Sequence, residues 1–245
     1  MLKKILAVML VAVLSFGIVF ADTDGTAEDS VPQTLAEKFS YALGVLCLQN
    51  YGVDNAMTYL SYYQYYNFPE IDEYFGFLGA YDAMYDSLLF SYDELNSFLE
   101  EYPAEYAARM EKVAAENLKE AEDFLAANKR NSGVVTMPSG LQYKVLKKGT
   151  GAKAKATDSV ELDYELKLID GTVIDSSYER GEHATFALDS VIDGFKEGVM
   201  LMPMGSHYIF YIHPDLGYGD SQVGNMGPNS LLIFEVETYA IEKTE

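Results

Sequence analysis

The sequence predicts an α+β protein. An all-helical N-terminal part runs into one long helix, and an antiparallel sheet with a single short helix follows. Three observations carry this. Apolar residues recur at spacings of three and four from Leu35 onward, the period of an amphipathic helix. Past Gly133 the period drops to two, the signature of half-buried strands. One return to helical spacing, Val191–Met202, interrupts the strands.

Composition narrows the function classes. The chain has 245 residues, 49% of them hydrophobic, enough for a sizeable core. It carries 17 basic and 38 acidic residues, a formal net charge of −21. Nucleic acid is excluded as a partner, because phosphate neutralisation needs a basic surface. Binding driven by anionic lipid is disfavoured for the same reason, and the acidity reads as solubility.

Residues 1–21 (MLKKILAVMLVAVLSFGIVFA) set Lys3 and Lys4 before an uncharged run from Ile5 to Ala21. This predicts a secretory signal peptide cut after Ala21, and so an exported protein of a periplasm or outer cell surface. The alternative is an uncleaved anchor, for which the run is near the lower length limit. Cys47 is the one cysteine, so no intrachain disulfide forms. A buried, inert thiol is expected, with an intersubunit disulfide as the alternative. The histidines are His183, His207 and His213. His207 and His213 alternate on one predicted strand face without a third ligand, so neither a metal nor a cofactor is expected.

Residues 22–34 are polar and read as a flexible leader. Residues 35–102 read as a helical dimerisation domain. Leu35, Phe39, Leu43 and Leu46 open its first helix, and Gly44 inside it permits close approach of another. Twelve of the 20 tyrosines fall between 41 and 102. At helical spacing these read as core or subunit interface. Ser91 and Glu94 form a capping box that opens a further helix. Short helices enclose little core alone, so a homodimer is expected. Residues 103–131 are rich in Ala, Glu, Lys and Leu with a thin apolar stripe. They predict a solvated stalk helix, kinked or started at Tyr102-Pro103.

Residues 132–245 form the α+β domain. Val134–Met137 and Leu141–Leu146 are short strands around the Pro138-Ser139-Gly140 turn. Lys147–Gly151 lacks the spacing of a phosphate loop and reads as a hairpin loop. In Ser159–Leu168, Val160, Leu162, Tyr164, Leu166 and Leu168 share one face, with Glu161, Asp163, Glu165 and Lys167 on the other. His207–His213 and Leu231–Ile241 alternate again. The stretch Asp170–Phe195 places one carboxylate, Asp175, among Val173, Ile174, Phe186, Ile192 and Phe195. Ligand pockets are built in this way, largely apolar with a few oriented polar groups.

The motifs PSGLQYKV (138–145), DGTVIDSS (170–177), ATF (184–186), VIDGFKEGVMLMPMG (191–205), PDLGYG (214–219) and GPNSLLIFEVE (227–237) stand in order. With them the chain resembles the FKBP-type peptidyl-prolyl cis/trans isomerases over roughly residues 133–241. KFSYALGVL (38–46) and the long helix before NSGVVTMPSGLQYKV resemble the Mip-like (macrophage infectivity potentiator) subgroup. The resemblance implies an antiparallel half-barrel wrapped around a short helix, and a dimer joined through the N-terminal helices. It also implies roles for residues. Tyr164 lines one wall, and Asp175 is the pocket carboxylate with Arg180 as its basic partner. Phe186, Val191 and Ile192 are wall positions, the Ile192 N–H being a ligand contact. Tyr218 is a hydroxyl donor, and Met226 and Phe234 close the far side. Two positions depart from the family pattern: Phe195 stands where the floor is usually Trp, and Ile174 where the wall is usually Phe. The pocket stays apolar but looser.

The chemistry needs no nucleophile. Rotation about an imide breaks amide resonance at a barrier of ~18–20 kcal/mol. An apolar site disfavours the charge-separated planar form, and a few donors hold the twisted peptide. The expected catalytic residues are Asp175, Tyr218 and Tyr164, orienting the peptide without proton transfer. The expected partners are unfolded or proline-containing polypeptides, with a macrolide-type compound as a further ligand. The alternatives are a holdase-type chaperone, a surface interaction protein with a weakened pocket, and Asp175 as a plain ion-pair partner of Arg180.

Overall fold

The computed structural model describes residues 31–224 and 226–242. The expected signal segment 1–21 lies outside the described residues. Two compact units divide after Ala107, and each is described by itself.

The first unit is helical. Helix α1 (Leu35–Tyr51) starts at a Thr34/Glu37 capping box, and α2 (Ala56–Tyr66) follows. Helix α3 (Glu73–Tyr85) is capped by the Asp72 carboxylate, which accepts the Phe75 N–H. Helices α1 and α3 touch backbone to backbone. A Cβ on Gly44 would stand 1.8 Å from the Gly76 carbonyl oxygen, and one on Gly79 2.0 Å from that of Tyr41. Tyr41, Val45, Phe75 and Leu95 form the core. The Tyr41 hydroxyl donates to Asp82 (2.8 Å) and accepts the Leu89 N–H (3.0 Å), so neither buried polar group is orphaned. Cys47 is 1% exposed, and burial pushes its thiol up to about 11. That fits the inert thiol.

Helix α4 runs unbroken from Tyr92 to Asn128. The Ser91/Glu94 capping box opens it as expected, but the break expected at Tyr102-Pro103 is absent. Pro103 removes one helix hydrogen bond, and packing on either side of it compensates. Tyr102 stacks on Phe39 (centroids 4.6 Å), and Tyr106 meets Phe68 edge-on at 5.5 Å.

The second unit holds the sheet. Its strands are β1 (Val134–Thr136), β2 (Gln142–Lys147), β3 (Ser159–Lys167), β4 (Val173–Ser176), β5 (Ala184–Ala187), β6 (His207–Ile212) and β7 (Leu232–Glu242). Two helices interrupt them, α5 (Ser177–Arg180) and α6 (Asp193–Leu201). The strand order is β1-β2-β6-β7-β3-β4, and β5 pairs with the first part of β3. Every pairing is antiparallel. Val160, Leu162, Tyr164 and Leu166 of β3 join Phe210, Phe234 and Val236 in one core, into which α6 sets Phe195 and Val199. Helix α6 approaches closely because of two glycines. A Cβ on Gly198 would lie 2.8 Å from the Phe210 ring, and one on Gly194 2.5 Å from the Ile212 Cγ2. We expect Gly198→Ala to lower stability by about 1–3 kcal/mol through overpacking, read as an earlier denaturant midpoint with unchanged slope.

The structure corrects three expectations and completes a fourth. The C-terminal part of α4 is exposed on most sides as expected, but its thin stripe has a partner: Ala121 and Leu125 pack with Leu231, Phe124, Tyr211 and Ile233 against the sheet. Its stripe is thin because small residues suffice against a flat sheet. Lys147–Gly151 is not a hairpin loop, since β2 pairs with β1 and β6. Gly149 and Gly151 instead lie against Met204, where a Cβ would meet its backbone or side chain at 2.2 and 2.8 Å. His213 lies beyond β6, and its Nδ1 accepts the Asp215 N–H at 3.2 Å as a 3-10 helix cap. Finally, Asp163 on the supposed solvent face of β3 is 7% exposed.

Candidate functional site

The site grows from three neighbouring strands. Tyr164 points inward from β3, opposite Val236 of β7, and Leu166 pairs with both Asp175 of β4 and Phe234 of β7. A carboxylate and two aromatic rings therefore converge. Phe195 from α6 supplies the floor, with Phe234 at 4.9 Å, Phe186 at 5.7 Å and Phe210 at 6.3 Å between ring centroids. Tyr164 meets Phe186 edge-on at 5.3 Å and tilts toward Phe234 at 6.2 Å. Such pairs add to the burial term and fix ring positions.

Asp175 sits at the rim. It accepts hydrogen bonds from the Tyr164 hydroxyl and the Arg180 guanidinium. Arg180 also reaches the Tyr164 oxygen at 3.1 Å and stands over its ring at 5.5 Å. Partial burial pushes the Asp175 carboxyl up, but the Tyr164 hydrogen bond and the Arg180 charge outweigh it and hold the group below the usual carboxylate range. Burial and the bond to Asp175 push Tyr164 up. At neutral pH the pair is thus an ionised acceptor and a neutral phenol. Arg180 reaches the rim because α5 is a single turn, capped by the Ser176 hydroxyl and closed at Gly181 with φ +72°.

The other expected residues fall around this set. Ile174, Val191 and Ile192 pack on the same core, partly exposed. Ile192 is the N-cap of α6 and no side chain caps it, which leaves first-turn N–H groups free for a carbonyl oxygen. Met226 is buried in the core beside Phe234. Tyr218 is not joined to the set. It lies on the turn after the Pro214–Leu216 3-10 helix, 41% exposed, and its hydroxyl bonds no other described residue.

One feature escaped the sequence reading. Behind the pocket the Asp163 carboxylate accepts from Ser177 Oγ (2.8 Å), Tyr239 OH (2.8 Å) and the His183 ring (2.9 Å). Ser177 Oγ also accepts the Tyr164 N–H at 3.0 Å. Asp163 thus ties β3, α5 and β7 together directly behind the Tyr164–Asp175–Arg180 set. Its sequence signal was an acid and a tyrosine adjacent on one strand, which alternation alone assigned to solvent. Among the described residues no cluster of three or more His, Cys, Asp or Glu could hold a metal ion.

A short helix laid on an antiparallel sheet, with a carboxylate beside a cluster of packed aromatic rings, defines the class: an α+β domain of one sheet and one short helix. The comparisons say which such domain it is. Residues 150–239 match the family described as FKBP-type peptidyl-prolyl cis-trans isomerase, and residues 36–145 match the domain amino-terminal to it. A probable FKBP-type peptidyl-prolyl cis-trans isomerase of Haemophilus influenzae is 36% identical over 97% of this chain and 95% of its own. The chain belongs to the FKBP-type peptidyl-prolyl cis-trans isomerase family. FkpA of Aeromonas hydrophila is 45% identical over 67% of this chain, and the outer membrane protein MIP of Legionella longbeachae 43% identical over 62%. The chain spans 63% and 65% of those two relatives. The crystal structure of FkpA from Escherichia coli superposes with a TM-score of 0.59 at 35% identity, covering 69% of this chain and 81% of that one.

Proposed function

We propose that this protein accelerates cis/trans rotation of X-Pro bonds in polypeptides. One observation carries the reading: Asp175, anchored by Tyr164 and Arg180, stands beside the packed rings of Phe186, Phe195 and Phe234. The proline ring enters the aromatic floor. The imide carbonyl leaves water, which destabilises the planar, charge-separated form relative to the twisted one. The N–H at Ile192 and the Tyr218 hydroxyl orient the flanking carbonyls, and Asp175 positions the twisted imide through preferential transition-state binding. Asp175 is held ionised, which suits an orienting role, since bond rotation moves no proton. Wild type should shorten the uncatalysed ~10–100 s isomerisation in a protease-coupled proline-peptide assay. Asp175→Ala should cut kcat/KM roughly tenfold, the loss of about 1.4 kcal/mol of transition-state stabilisation. No acceleration by wild type, or full activity in the variant, overturns the reading.

The wider setting belongs to the same proposal. The N-terminal segment supports export to the periplasm or outer surface, and a relative is named an outer membrane protein. Tyr62, Tyr74, Tyr85 and Tyr92 present apolar rings at the surface of the helical unit. Such rings suit a homodimer interface, and equally the alternative of a holdase surface for unfolded chains.

A further inference from the structure

We propose that helix α4 sets the shape of the pocket's far side, with Asn117 and Asn229 as the positioning residues. The inference rests on the reading of the cleft as the prolyl site. The loop from Tyr218 to Ser230 carries two residues of that site, Tyr218 and Met226. Among its described residues the loop has bonds of its own. The Asn229 N–H donates to the Gly219 oxygen at 2.7 Å and closes the base, the Ser221 N–H donates to the Tyr218 oxygen at 3.2 Å, Ser230 Oγ donates to the Gly227 oxygen at 2.8 Å, and Val223 and Met226 exchange backbone bonds of 3.1 and 3.0 Å near the tip. Toward α4 the loop is held by a reciprocal pair. Asn117 Nδ2 donates to the Pro228 carbonyl at 2.8 Å, and Asn229 Nδ2 donates to the Ala114 carbonyl at 3.2 Å.

The backbone is shaped for this contact. Asn229 takes a left-handed φ of +56°, which aims its amide at the helix. A Cβ on Gly227 would lie 3.1 Å from Asn117 Nδ2 and 3.4 Å from Val113 Cγ1, so a larger residue there would press on the Asn117 amide. Met226, the residue before Gly227, is buried in the core with Tyr164, Phe195 and Phe234. One peptide step therefore separates a side chain of the pocket from the helix that clamps the loop. Beside the clamp a cavity of about 240 Å³, lined by Val113, Asn117, Leu168, Gly227 and Leu231, leaves the loop room to move once the clamp is lost. Releasing the amides lets the loop swing and loosens the far wall against bound peptide.

The test uses the full chain and three single variants. Asn229→Gly keeps the backbone, because glycine adopts positive φ freely. Asn117→Ala cannot weaken the helix, alanine being the best helix former. Asn117→Asp keeps the shape but sets an acceptor against the Pro228 carbonyl, so at neutral pH it must loosen the loop at least as much as alanine. Amides of residues 219–227 should exchange with solvent about fivefold faster in each variant, the factor for one hydrogen bond of ordinary net strength, while the β3 and β7 amides are unchanged. In the proline-peptide assay KM should rise by a similar factor with kcat held within about twofold. Unchanged loop exchange overturns the clamp, whether or not wild type isomerises peptides. Faster exchange with unchanged KM overturns its role in the pocket. A wild type without isomerase activity overturns the prolyl reading instead, and loop exchange still decides the clamp.

Discussion

Gly44→Val should unfold the α1–α3 pairing. The added Cβ would stand 1.8 Å from the Gly76 carbonyl oxygen and 2.7 Å from its carbon, with backbone on both sides. No rotamer relieves a clash that begins at Cβ, so the helices must separate. Overpacking in cores usually costs about 1–3 kcal/mol where side chains can give. Here backbone must move, Tyr41 and Phe75 lose their contact, and the Tyr41–Asp82 hydrogen bond goes with them. The cost should exceed about 3 kcal/mol, a large part of the stability of a small unit. Far-ultraviolet circular dichroism of the full chain should lose helical signal, with an early melting transition added. Gly52→Ala is the control. Gly52 has φ +72° but nothing within 4 Å of a Cβ, so it should cost only about 1 kcal/mol in backbone strain. Equal melting of Gly44→Val and Gly52→Ala would overturn the account.

That glycine was legible in the sequence because it sits mid-helix, where its propensity cost needs a packing reason. The same logic located the strands, since Ser159–Leu168 alternates cleanly and only one register buries Val160, Leu162, Tyr164 and Leu166 together. The motifs grouped Tyr164, Asp175, Arg180, Phe186, Phe195 and Phe234, and the structure joins them by direct contact. What stayed hidden depends on long-range partners. Proline predicts a break, yet Pro103 is carried through α4 by Tyr102 on Phe39 and Tyr106 on Phe68, contacts between residues 38 and more apart. The thin stripe of α4 was legible, but the sheet it meets was not, because periodicity counts apolar residues without knowing the surface they pack on. Asp163 looked solvent-facing because a two-residue period separates the faces of a strand but does not say what covers the second one. Here α5, the loop to β5 and the end of β7 cover it.

Asp163→Ala should therefore cost more than a surface acid can. The carboxylate holds three donors from three elements. Ser177 is fully buried, so its hydroxyl loses its best acceptor with no water to replace it. Leaving buried donors unpaired costs about 1–3 kcal/mol each, and we expect about 2–3 kcal/mol for the variant. Asp163→Asn keeps the volume and should recover part of this, because an amide oxygen accepts from Ser177 or Tyr239 but cannot attract a charged His183. The pH dependence carries the sign of each partner. Burial pushes the Asp163 carboxyl up, but the His183, Tyr239 and Ser177 bonds outweigh it and hold it below the usual range. Its contribution is present above the ordinary carboxylate value of about 3.9 and is lost as pH falls through the lower folded value. The bond to Asp163, with Glu161 adding to it, raises His183. Its contribution is full below about pH 6.5 and fades as pH rises through the raised value. The ion pair is thus strongest from about pH 4 to pH 6.5. Glu237 accepts from the same Tyr239 hydroxyl at 3.1 Å. Melting temperatures from pH 4 to 9 should show the gap between wild type and Asp163→Asn widest below pH 6.5 and narrowing above it. A gap independent of pH would make the hydroxyl bonds the whole of the effect. Because Ser177 opens α5 and Arg180 closes it, Asp163→Ala should also loosen Arg180 from Asp175. The same variant should then lose isomerase activity although Asp163 never touches the peptide.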